Sequence, residues 1–440
     1  MNIKIKGILG TMLLLIFVIL SACSNETSTP KKEKKKDDVD SAVFSEEEVT
    51  LKIATPWGEE YFMDRIGNYV KENKPYLTLE HIDWDGSAEQ LQEFYADKKV
   101  PDVLLAFTGQ QPLEELDSVF PLDEMIDLYH VDLNHIQPVV LDEVRSRDKE
   151  RRLIGIPGEV GLLGLYYNKE VFDIFGVPYP EPDESMSWDR VLDLAKQMTA
   201  VRNDVHYCGL DMGDQDWAPL MELSVSKTDP ETGEVLLTKD PKFAKYMGLM
   251  EQYYGIPGIK EESCGFGERN VAMYIGWHGF MANNWLGGEI EDAVEFMKDM
   301  DILPLPTWSD MPDVGPTPTG IHPFVINNYS ENKDAALQFL LTVASEDYQL
   351  KLSRDGTPSV LYSQESIEQY AANNIFLNGK NIKALFHNTP AAPPEIKSVW
   401  DQYVELDMKK FVESGADIQE FLRVSQEEAE IKIQDAKQAQ

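Results

Sequence analysis

The sequence predicts an α/β fold of two lobes, each a mostly parallel sheet flanked by helices. Three observations carry that expectation. Strand and helix periodicities alternate from residue 49 onward, as they do where helices cover a sheet. The 440-residue chain exceeds one ordinary core, so two lobes are the default. No internal period of about 20 to 50 residues marks a repeat array.

The elements follow in order. Val49, Leu51 and Ile53 alternate with Thr50, Lys52 and Ala54, the two-residue period of a strand. Trp57-Gly58 breaks it, and Phe62, Ile66, Tyr69 and Val70 then recur at helical spacing up to Pro75. Further strands are expected at 77–82 and 103–107. Ser187 caps a helix whose inward positions are Trp188, Val191, Leu192, Ala195 and Met198. Asp334 opens another, with Ala336, Phe339, Leu340 and Val343 inward. Asp417, with Glu420 three residues on, forms a capping box before Phe421, Leu422 and Ala429.

Ahead of these elements, Lys4 and Lys6 precede an apolar run that ends in Leu20-Ser21-Ala22-Cys23. A basic start, an apolar middle and small residues before a cut describe a signal peptide over 1–22, and this junction has the pattern of a lipobox. Cys23 would then carry lipid and place the chain on the extracellular face of the cell membrane. As an uncleaved helix, residues 8–20 would rise only about 20 Å, short of the roughly 30 Å hydrocarbon core. From 23 to 48 the chain is rich in Lys, Asp and Glu and holds one aromatic residue, Phe44. Such a composition buries too little apolar surface to offset ordering, so a disordered tether is expected.

Lys and Arg number 40 against 77 Asp and Glu, a formal net charge of -37. A phosphate backbone is repelled by such a surface, which excludes nucleic acid as a partner. With Cys23 assigned to lipid, Cys208 and Cys264 remain as an even pair in an oxidising compartment. They form a disulfide or stay as small buried thiols; spacing does not decide between the two.

The order of short motifs resembles the extracellular solute-binding proteins of the sugar-binding, maltose-binding-protein-like type, receptors of ABC importers. The likeness begins at V-T-L-K-I-A-T-P-W-G (49–58) and P-D-V-L-L-A-F (101–107), then continues at L-I-G-I-P-G (153–158) and L-Y-Y-N-K-E-V-F (165–172). It goes on through V-A-M-Y-I-G-W (271–277), D-I-L-P-L-P (301–306), S-E-N-K-D-A-A-L-Q-F-L (330–340) and G-A-D-I-Q-E-F-L (415–422). The resemblance implies a clamshell with ligand in the cleft between lobes and hinge closure around it. By segment matching, 45–122 and 324–376 form lobe 1, while 126–315 and 380–440 form lobe 2. Crossings fall near 121–125, 315–323 and 378–381.

It also implies ligand-binding residues. Trp277 stands where relatives present an aromatic to cargo, and Trp400 matches a sugar-stacking tryptophan of a C-terminal helix. Trp57, Gly58 and Glu59 occupy the first strand-to-helix turn, and Phe107, Thr108 and Gln110 follow the third strand; both turns sit at carboxyl ends of parallel strands, where α/β sheets bind ligands. Asp214, Asp216 and Trp217 match a loop that offers an acid and an aromatic. Trp84, Trp188 and Trp308 are assigned to structure. Thr108-Gly109-Gln110 stands where maltose binders carry an acid and an arginine, so maltose itself is not assigned.

No catalytic motif, cofactor or metal is expected: H-E-x-x-H, phosphate-cradling loops and G-x-S-x-G are absent from the sequence. Tyr166-Tyr167 belongs to the L-Y-Y-N-K pattern, and Asp83-Trp84-Asp85-Gly86 lacks the register of a calcium loop. The expected partners are a carbohydrate and permease subunits. Three alternatives stand beside this reading: a receptor for a polyamine or other cation, a surface glycoside hydrolase, and an accessory receptor of a sensor kinase.

Overall fold

The computed structural model describes residues 42–282, 289–361 and 363–439. Cys23, the 1–22 segment and most of the tether lie outside the described residues. Val49–Thr55 forms a strand with Leu51 and Ile53 fully buried, as its alternation requires. It joins a five-stranded sheet in the order Leu77–Asp83, Val49–Thr55, Val103–Leu105, Pro323–Ile326, Ile156–Pro157. The first three strands are parallel, and Pro323–Ile326 runs antiparallel to both of its neighbours. Pro323 is tolerated because it is the strand's first residue.

A second sheet sets Leu163–Asn168 between Met273–Trp277 and Met300–Leu303, antiparallel to both. This corrects the mostly parallel arrangement expected there. All six residues of the central strand are buried, a pattern usual for parallel strands. Here it arises because alternate side chains enter two clusters: Leu163, Leu165 and Tyr167 on one face, Tyr166 on the other.

Each sheet has its own apolar core. Around the first pack Phe62, Ile66, Val70, Phe339, Leu340 and Tyr348, with Trp84, Leu91, Leu104 and Val325 on the opposite face. Around the second pack Trp188, Leu192, Phe243, Met250, Tyr253 and Phe421. At about 25 cal/mol per Å² of apolar surface, side chains of this size contribute roughly 1.5–3 kcal/mol each.

The division between these cores differs from the segment matching. Leu122, Met125, Ile136, Val140, Val144, Leu153 and Val160 all pack with the first sheet. Pairing of Ile156–Pro157 with Pro323–Phe324 keeps the chain there, so it leaves the first core only after Val160. The later return is earlier than expected: Tyr370, Ala371 and Leu377 already pack beside Tyr166 and Ile302.

The Phe62–Val70 helix exists as Glu59–Phe62 and Asn68–Asn73 joined by a π-helical turn at Met63–Gly67. Ser187 caps Trp188–Met198 by accepting from the Arg190 N–H, and every expected inward residue is buried. Asp417 accepts from the Glu420 N–H at the head of the helix Ile418–Ala439. For Lys333–Val343 the cap position is Asn332, with Asp334 inside the first turn.

Residues 42–48 depart from the expected tether. The Ala42 N–H donates to the Leu128 carbonyl, the Phe44 ring stacks on Tyr129 at 4.0 Å, and Ser45 accepts from Gln338. One aromatic side chain in an otherwise polar stretch is enough to dock its end. Cys208 and Cys264 form a disulfide across 56 residues. Trp84, Trp188 and Trp308 are core residues, their indole N–H groups donating to the Ser87 carbonyl, the Glu222 carboxylate and the Pro219 carbonyl.

Candidate functional site

Two chain passages between the cores lie side by side, with the Gly161 N–H donating to the Thr319 carbonyl at 2.7 Å. Only glycine fits at 161: a Cβ there would stand 2.6 Å from the Trp277 ring and 3.0 Å from the Thr319 carbonyl oxygen. Beside these passages opens a cleft of about 570 Å³. Its walls come from the loop after Val103–Leu105 (Phe107 to Gln110), from Glu143 and Arg147, from Pro318 to His322, and from Lys397, Ser398, Val399 and Gln402.

Phe107 is 44% exposed and its ring lies 4.9 Å from that of His322. An exposed aromatic face on a cleft wall suits an apolar C–H surface. Thr108 is turned away from such a role, since its hydroxyl donates to the Gly86 carbonyl and holds the two loops together. Gln110 is only 8% exposed, and among the described residues neither its Oε1 nor its Nε2 has a hydrogen-bond partner. Burial lowers the His322 pKa, with Arg147 adding to the effect, so the ring is neutral at physiological pH.

Trp57 lies on the first-sheet side, its ring edge-on to Tyr61 at 5.8 Å and to Phe324 at 6.5 Å. The Arg65 guanidinium sits over both Trp57 and Tyr61, 6.0 and 5.8 Å from their centroids, and pairs with Glu159. Trp57, Arg65, Glu159 and His322 line one small pocket, so His322 links this group to the main cleft. Gly58 and Glu59 are exposed at the start of the helix.

On the second-sheet side Trp217 and Trp277 form a tilted pair with centroids 6.1 Å apart. Trp277 is partly buried, and its carbonyl accepts from the Tyr166 hydroxyl at 2.7 Å. That bond gives the first tyrosine of the Tyr166-Tyr167 pair a structural partner. Next in sequence, His278 accepts from the Leu162 N–H, and burial brings its pKa down to about 4. Asp214 is exposed, whereas Asp216 accepts from the Tyr254 hydroxyl at 3.4 Å and has its pKa raised by burial.

The structure therefore gathers Phe107, Gln110, Trp57, Trp217 and Trp277 around the two passages. It does not bring Trp400 to them. That ring packs on Gly233, Tyr403 and the Lys437 ammonium, while its neighbours Val399 and Gln402 line the cleft. The short 3₁₀ helix Val399–Tyr403 turns alternate faces to cleft and core. Glu143, Arg147, His322 and Lys397 on the cleft, and Arg65 and Glu159 in the small pocket beside it, are residues that sequence reasoning missed. In a chain with 77 acids, charged residues carry no mark of burial.

Two cores joined by adjacent passages, with a cleft beside the joint that exposes the Phe107 ring, suit a protein that holds a solute. The chain belongs to the bacterial extracellular solute-binding protein family, whose model matches residues 55–350. It is a binding protein and not an enzyme. The arabinooligosaccharide-binding protein of Halalkalibacterium halodurans is 22% identical over 333 residues, covering 69% of this chain and 68% of that protein. Among solved structures, a sugar transporter from Rhizobium etli in an open conformation is similar at a TM-score of 0.66 and 17% identity, covering 87% of this chain and 99% of that one. The sugar-binding protein MalE from Xanthomonas citri gives a TM-score of 0.65 at 17% identity, covering 89% and 100%. These structures share the α/β fold with mixed sheets flanked by helices.

Proposed function

We propose that this chain captures a neutral oligosaccharide in the cleft between its two cores and delivers it to an ABC permease. The carrying observation is the pairing, on the wall of a cleft of about 570 Å³, of an exposed aromatic face at Phe107 with the amide of Gln110, which has no hydrogen-bond partner among the described residues. Sugars present an apolar C–H face and a rim of hydroxyls, and these two side chains match them. The relative from Halalkalibacterium halodurans supports arabinose-containing oligosaccharides as the first cargo to test. A polyamine fits less well, because Arg65 is matched by Glu159, and Arg147 and Lys397 by Glu143 and Glu114, so the lining offers a cation no excess of negative charge.

Cargo is held by closure of the two units about the passages at Gly161 and Thr319, a shift between open and closed populations. Lipid on Cys23, outside the described residues, would tether the receptor at the extracellular face of the membrane. Calorimetric titration with arabinotriose, maltotriose and mannotriose tests the cargo, and scattering tests closure through a smaller radius of gyration on binding. Failure of every sugar to bind or to raise the melting temperature would overturn the reading; a bound ligand at 100 times its dissociation constant adds about 2.7 kcal/mol. For the tether, Cys23→Ala should abolish labelling with fatty acid and release the protein, and an unlabelled wild-type protein would refute it.

A further inference from the structure

We propose that Glu143 reads a hydroxyl of the cargo and couples that reading to closure, an inference that rests on the receptor reading above. Glu143 lies on the helix Pro138–Arg145, packed with the first sheet, and is 2% exposed. Its Oε1 accepts from Arg147 Nη2 at 3.2 Å and from the ammonium of Lys397, which arrives from 254 residues further along the chain. Arg147 is held in turn by the Ile321 carbonyl at 2.8 Å, and the Lys397 N–H donates to the Ser146 carbonyl at 2.7 Å. These bonds leave the second carboxylate oxygen apart: Oε2 is buried and, among the described residues, has no hydrogen-bond partner.

Buried polar atoms are nearly always bonded, so Oε2 of Glu143 and the amide of Gln110, both without a partner among the described residues and both on the walls of one cleft, mark a place where a ligand completes the set. The chemistry of the set selects the ligand. A carboxylate oxygen only accepts, so its complement is a donor such as a hydroxyl; a ligand carboxylate offers none at neutral pH. The Gln110 amide supplies both donor and acceptor, as vicinal hydroxyls require. The cleft therefore takes a neutral polyhydroxylated ligand in preference to a uronate.

Lys397 gives Glu143 its second role. With Lys397 seated on Oε1, Oε2 is out of solvent's reach, so cargo meets Glu143 before the segment carrying Lys397 settles. One carboxylate then binds the ligand through Oε2 and the opposite side of the cleft through Oε1.

The test is calorimetric titration of wild type and Glu143→Gln with arabinotriose, maltotriose, mannotriose and trigalacturonate, each variant checked by circular dichroism and melting. Wild type should bind a neutral trisaccharide more tightly than trigalacturonate, and folded Glu143→Gln should lose at least fivefold in affinity for it. A smaller loss in a folded variant, or a wild-type preference for trigalacturonate, overturns the proposal. Should Glu143→Gln not fold, the wild-type preference between neutral and acidic trisaccharides decides alone. If wild type binds no sugar at all, the receptor reading fails, a result distinct from sugar binding that ignores the substitution.

Discussion

Adding one methyl group at Gly161 should disturb both stability and cargo binding. In Gly161→Ala the new Cβ would stand 2.6 Å from Cζ3 and 3.2 Å from Cε3 of Trp277, and 3.0 Å from the Thr319 carbonyl oxygen. Carbon pairs rest at about 3.5–4.0 Å, so the indole must retreat by roughly 1 Å or the adjacent passages must part. Overpacking of this kind costs about 1–3 kcal/mol. The indole is also confined by Trp217 at 6.1 Å, which argues for the upper half of that range. Urea unfolding measures the loss, and titration with the bound oligosaccharide measures the effect on binding. Shortening the indole should relieve the clash, so Gly161→Ala with Trp277→Leu should show a coupling energy of about 0.5–3 kcal/mol against the two single variants. Unchanged stability in Gly161→Ala, or additive losses in the double variant, would refute the contact and the argument built on it.

Three further outcomes are expected. Trp277→Ala should weaken cargo binding by about 2 kcal/mol or more, roughly thirtyfold, in calorimetric titration; unchanged affinity in a folded variant would remove Trp277 from the site. Cys208→Ser with Cys264→Ser should cost about 4 kcal/mol of stability, as expected for a loop of 56 residues, and a loss under about 1 kcal/mol would contradict that scale. Burial raises the Glu222 pKa well above its ordinary 4.5 despite its bond from Trp188, so the native state holds a proton there that the unfolded chain releases. That contribution is fully present below pH 4.5 and is lost as pH rises toward the folded value. Glu222→Gln should therefore gain stability relative to wild type between pH 4 and pH 8, and a constant difference in urea unfolding across that range would count against it.

Local structure was legible where a side-chain period or a cap decided it. Leu51 and Ile53 announce their strand, and Ser187 and Asp417 announce their helices, because each signal lies within a few residues of what it controls. Placement of 126–160 was not legible. It depends on Ile156–Pro157 pairing with a strand more than 160 residues later, a contact with no local trace. A longer separation, 254 residues, lies between Glu143 and Lys397, and nothing in their neighbourhoods distinguishes them from solvated charge. Trp400 was misplaced for a different reason: a tryptophan's type says that it will be covered, while the phase of a five-residue 3₁₀ helix decides by what. The position of the loop that carries Phe107 and Gln110 was accessible to sequence reasoning because the end of a parallel strand fixes where the next loop must stand.

In the closure proposed above, the bridge between Gly161 and Thr319 would limit how the two units move. Two passages fastened at a shared point resist sliding past one another, and the crowded indole beside them resists sideways tilt. Rotation about this bridge is the coordinate that the proposed closure would use. A receptor with one such coordinate has few ways to be half-closed, so a single distance measured across the cleft would report its occupancy almost as a binary variable.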